Sequence, residues 1–146
     1  MRWDAFMPML WKKLKAEGPP DLLVIQIGEN DLVSQKSLDL ALSIKAGIEL
    51  IHDCYPRIHI MWSDLLERRC WLGARNPKRV NVARQKVSKA VGHAVVGWGG
   101  SWIHYPNISQ KREELFHPDG VHLSNKGQEL WLRDIKDKLP TWLQLH

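Results

Sequence analysis

Asp21-Leu22-Leu23-Val24-Ile25-Gln26-Ile27-Gly28-Glu29-Asn30-Asp31 is the stretch that decides the fold of this 146-residue chain. From Asp21 to Gly28 it is a nearly unbroken apolar run ending in glycine. That pattern fits a strand buried on both faces of a parallel sheet, because a strand with one wet face would alternate. Upstream, Trp3, Phe6, Met7, Leu10 and Leu14 recur at helical spacing, with Asp4 placed to cap the start and Gly18-Pro19-Pro20 placed to stop it. Pro8 is then expected in or near the first turn, where a missing N–H costs little.

Downstream, Ala41, Ile44, Ile48, Ile51 and Tyr55 mark one face of a helix that begins near Ser37 and closes at Pro56. A second strand is expected from Arg57 to Ser63. The segment 76–96 puts Val80, Ala83, Val87, Val91 and Val95 on one side of a helix and most of its basic residues on the other, and Gly97, Gly99 and Gly100 break it. Ser101 to Tyr105 reads as a third strand. The last helix, entered near Ser124 or Asn125, carries Trp131, Ile135 and Leu139 on one face and ends at Pro140. Strand and helix alternate with connections that require parallel strands, so the class is α/β and a single domain is expected over residues 1–146.

In such a sheet ligands gather at the carboxyl ends of the strands. Two loops there carry chemistry. After the first strand, Gly28 permits a tight exit, and Asn30 offers an amide donor that could face a developing oxyanion. After the third, Asp119 and His122 stand three residues apart around Gly120, a spacing that lets a carboxylate hold an imidazole. Taken singly, Asn30-Asp31 and Asp119-Gly120 are also common turn pairs, and a lone histidine is commonly structural. His117, Asp119 and His122 lack an evident fourth ligand, so no metal and no cofactor are expected.

Together and in this order, Gly28-Glu29-Asn30-Asp31 resembles the GxND block of SGNH (GDSL-like) hydrolases, and Asp119-Gly120-Val121-His122 resembles their DxxH block. The wording from Pro118 to Ser124 is similar to SGNH domains of vertebrate retroelement-type open reading frames. The resemblance spans Asp21 to Leu139. It implies a three-layer α/β/α, flavodoxin-like parallel sheet and acyl-ester hydrolysis, with His122 as general base, Asp119 orienting it and Asn30 holding the oxyanion. Asp31 would brace the loop. What the resemblance also implies, and this sequence lacks, is a serine block on an N-terminal strand and a following glycine block. Two of the remaining serines are set aside: Ser101 opens its strand, at the wrong end of the sheet, and Ser124 suits a helix cap. Ser63 ends the second strand and is the remaining nucleophile candidate, although a structural hydroxyl is the commoner role there. The domain is therefore expected to be truncated at its N-terminus, with about three strands left, and inactive or incomplete as an esterase. A small ester substrate would need an N-terminal segment to complete the site. The absent strand would lie beside the one ending at Gly28, so an apolar edge open to self-association is expected.

Charge adds a second reading. Lysines and arginines number 21 against 16 acidic residues, a formal net charge of +5. No Asp or Glu lies between Glu67 and Glu113, whereas Arg68, Arg69, Arg75, Lys78, Arg79, Arg84, Lys86 and Lys89 all do. A positive face follows. Its commoner reading is the solvated side of a surface helix; the alternative to an esterase is a module that binds nucleic acid through that helix. Cys54 and Cys70 have no pairing motif and read as free thiols. No apolar run is long enough for a membrane span or a signal sequence, and an intracellular, soluble protein, cytoplasmic or nuclear, is expected.

Overall fold

The computed structural model describes residues 1–144. Helix α1 (Trp3–Glu17) leads into strand β1 (Leu22–Ile25), then helix α2 (Ser37–Cys54), β2 (His59–Ser63), α3 (Pro77–Gly97), β3 (Ser101–Ile103), α4 (Asn125–Lys138) and the short α5 (Thr141–Gln144). The strands form one parallel sheet in the order β1-β2-β3, with Leu22 opposite His59 and Met61 opposite Ser101. Alternate residues face opposite sides. Leu23, Ile25, Ile60, Trp62 and Trp102 join the core beneath α1, α2 and α3. Leu22, Val24, Met61 and Ile103 join a second, smaller core with Leu130, Trp131 and Ile135 of α4. This is the three-layer α/β/α arrangement expected, with three strands.

Several boundaries differ from expectation for identifiable reasons. The first strand pairs only over Leu22–Ile25, and Leu22, Leu23 and Val24 are half-buried because β1 stands at the edge of the sheet with one pairing neighbour. The other two strands also begin or end short of the expected runs, pairing only over 59–63 and 101–103. Asp4 does not cap α1. Arg2 holds the N-cap position, its carbonyl accepting from the Ala5 and Phe6 N–H groups at 3.2 and 3.1 Å. Pro8 therefore sits in the second turn and removes the donor for the Asp4 carbonyl, which is tolerated because both residues are exposed to water. Asn76 caps α3 through its Oδ1, and Ser124 caps α4. The basic segment is not uniformly exposed. Arg84 is buried on the inner side of α3, donating to the Leu65 carbonyl at 2.9 Å and facing Glu67 at 3.6 Å. Cys54 and Cys70 are both free. Among the described residues no helix is long and apolar enough to cross a membrane.

Candidate active site

All three strands deliver their carboxyl ends to one rim. At the end of β1 the chain turns through Gly28, whose φ of 128° disfavours any side chain. A Cβ there would also lie 3.3 Å from Ile44 Cδ1. A single 3₁₀ turn, Glu29–Asp31, follows. Asp31 is 1% exposed, and its Oδ2 accepts the Trp3 N–H at 2.9 Å, which ties the start of α1 to this loop. Asn30 is exposed. Its Oδ1 accepts from Arg68 Nη2 at 3.1 Å, and its Nδ2 donates to the Met1 carbonyl at 3.3 Å. A guanidinium only donates and a carbonyl only accepts, so both partners fix the same orientation of the amide.

The Asp119–His122 loop is built as a tight, self-braced turn. An antiparallel bridge pairs Phe116 with Leu123, and the His117 N–H donates to the His122 carbonyl at 2.8 Å. Gly120 has φ 70°, and its carbonyl accepts from the Arg69 and Cys70 N–H groups at 2.8 and 3.0 Å, docking the turn on the loop after β2. Asp119 Oδ1 accepts the Val121 and His122 N–H groups at 2.9 and 3.0 Å, while Oδ2 meets His122 Nδ1 at 2.5 Å. The bond to the His122 ring, followed by the two backbone donors, holds the Asp119 carboxyl far below the usual carboxylate range. An ionised carboxylate only accepts, so His122 Nδ1 is the protonated nitrogen and Nε2 is left as the basic one. The His122 side chain is 74% exposed, open to an incoming group.

Arg68 lies between the two motifs. It lines both a cavity of about 490 Å³ that includes Gln26, Leu66, His122 and Trp131 and another of about 540 Å³ that includes Asn30, Val33, Trp71 and Leu72. Its guanidinium carbon sits 4.9 Å from the Trp71 ring centroid. Burial pulls its pKa down, opposed by Glu29 and Asp119. Sequence reasoning missed this residue. It follows β2, whose loop carries no recognisable motif, and only the rule that ligands gather at strand carboxyl ends pointed there.

The serines fall elsewhere. Ser63 is fully buried, donating to Gln26 Oε1 at 2.6 Å and bonded to the Tyr105 hydroxyl at 2.5 Å. Ser101 sits at the opposite end of the sheet with its Oγ 2.8 Å from His59 Nε2. Ser124 accepts the Gly127 N–H at 3.2 Å as the α4 cap. Among the described residues no hydroxyl is hydrogen-bonded to His122, and no group of three His, Cys, Asp or Glu is placed to hold a metal.

No family model matches the sequence, and no curated protein does. Solved structures do match. A candidate acylhydrolase of Bacteroides fragilis superposes with a TM-score of 0.72 at 13% identity, over 94% of this chain and 69% of its own. A GDSL-like lipase of Bacteroides thetaiotaomicron gives 0.70 at 17% identity, over 94% of this chain and 70% of its own. The esterase domain of the zebrafish ZfL2-1 retrotransposon ORF1 protein gives 0.57 at 23% identity, over 94% of this chain and 79% of its own. At these identities the likeness establishes architecture: the chain has the helix-flanked parallel sheet of GDSL-like, SGNH-type acylhydrolases, a retrotransposon esterase domain among them.

Proposed function

We propose that this chain carries the acid–base and oxyanion parts of an SGNH-type ester hydrolase site and hydrolyses no ester by itself. The observation that carries the reading is the Asp119 Oδ2–His122 Nδ1 bond of 2.5 Å beside an outward Nε2, on the same rim as Asn30. In the complete reaction a serine Oγ adds to the ester carbonyl while its proton passes to His122 Nε2. The carbonyl electron pair becomes an oxyanion facing the Asn30 amide. Collapse expels the alcohol, which takes the proton from Nε2, and water repeats the sequence to release the acid. Asp119 keeps its charge throughout and steadies the imidazolium. Removing one oxyanion donor of this kind costs about 3 kcal/mol of transition-state stabilisation.

The serine would have to approach His122 from outside these 146 residues. Ser63 has its proton committed to Gln26 and no exposed surface, which favours a structural role. The test is intact-mass analysis after exposure of the folded chain to a serine-directed phosphonate, with His122→Ala as the control. No adduct is expected. A single adduct that vanishes in His122→Ala would overturn the reading and make this chain an enzyme in its own right.

A further inference from the structure

The ten lysines and arginines between Glu67 and Glu113 do not all go to one place, and the subset on α3 is the informative one. Lys78, Arg79, Lys86, Lys89 and His93 are exposed. At 100° per residue they fall, with Val82, within about 100° of the helix circumference, and the row from Lys78 to His93 is about 22 Å long. A merely solvated helix face carries acids three or four residues from its lysines. Here α3 has no acidic residue at all, and among the described residues none of these side chains is in an ion pair.

The row ends on fixed aromatic rings. His93 meets the edge of Trp102 with centroids 5.1 Å apart, and Trp102 lies 4.3 Å from His104. Both are held by one carboxylate: Asp64 Oδ1 accepts the Trp102 Nε1–H, and Oδ2 meets His104 Nδ1 at 2.9 Å. Asp64 also accepts the Ser88 hydroxyl, so its charge is engaged by three groups. The His104 side chain is 52% exposed.

We infer that the outer face of α3, together with Trp102 and His104, binds single-stranded nucleic acid. The cationic row follows the phosphates, and the His104–Trp102 pair offers a preset platform for a base. This lies beyond ester hydrolysis and uses none of its residues. An anionic membrane is the poorer partner, because the apolar side of α3, with Val87 and Val91 at 0% exposure, is committed to the core, which leaves Val82 and Val96 as the helix's only exposed large apolar side chains, too little to insert.

The test is fluorescence anisotropy of labelled oligodeoxythymidylate, about 20 nucleotides long, across a salt series with the whole chain. Four phosphate contacts predict a log K against log salt slope of about −3. Lys86→Glu with Lys89→Glu should weaken binding more than about tenfold and roughly halve the slope. His104→Ala should weaken it about tenfold with the slope unchanged. Thermal melting of each variant, expected to match the wild type, shows that loss of binding is not loss of fold. Absence of salt-sensitive binding, indifference to the α3 charge reversals, indifference to His104→Ala, or displacement of the oligonucleotide by phosphatidylserine vesicles would each overturn the assignment.

Discussion

Ser88→Ala should destabilise this protein far more than a change of one oxygen suggests. Ser88 is 3% exposed on the inner side of α3. Its Oγ accepts the Trp62 Nε1–H at 3.2 Å and the Leu65 N–H at 3.0 Å, and donates to Asp64 Oδ1 at 2.7 Å. Alanine leaves both N–H groups without an acceptor. Trp62 is 0% and Leu65 1% exposed, so water cannot replace the oxygen without opening the core. An unsatisfied buried donor costs about 1–3 kcal/mol, which puts the pair at about 2–6 kcal/mol. Asp64 loses one donor and keeps Trp102 and His104, a smaller loss. Urea unfolding followed by tryptophan fluorescence reads this as a midpoint drop of about 1–3 M at unchanged slope. Amide exchange should also quicken at Leu65 and onward toward Arg68, since this hydroxyl anchors the loop that reaches Asn30. A loss under about 0.5 kcal/mol would show that the two donors find other partners and that the hub is not one.

Two further outcomes follow from the same network and from the β1 loop. Asp31→Ala removes the buried acceptor of the Trp3 N–H and should cost about 2 kcal/mol, with faster exchange of the Trp3 amide, while Asp31→Asn, which keeps an oxygen, should cost less. Burial raises the Tyr105 pKa to about 12. The unfolded chain releases this proton at about pH 10, so the stabilisation is complete below pH 10 and is lost as pH rises to about 12, by about 3 kcal/mol. Tyr105→Phe should flatten the alkaline limb of a stability–pH curve, and an unchanged limb would sink the argument.

The fold was legible because its signals are local. The apolar run ending at Gly28 and the helical spacings around it dictate a parallel sheet almost unaided. The site's two motifs were legible for the same reason: Asp119 and His122 meet within one turn, and Gly28, Asn30 and Asp31 share one loop. What could not be read depends on partners distant in sequence. Arg68 gains its position only when the loops after β1 and β2 meet, and Arg84 looks like any surface arginine until the Leu65 carbonyl is placed beneath it. Position along a helix is no guide either when propensity competes with packing. Trp3 is buried and its N–H is taken by Asp31, so α1 starts before Asp4 and carries Pro8 in its second turn.

The strand order has a further consequence. Among the described residues β1 pairs with β2 alone, which leaves one row of peptide groups along 22–25 facing outward, and its carboxyl end runs into the cleft wall at Gln26 and Glu29. A chain segment pairing parallel to β1 would finish at that same wall, within the neighbourhood of His122 and Trp131. The open edge of the sheet and the cavity beside His122 are therefore one continuous surface, joined at Gln26 and Glu29.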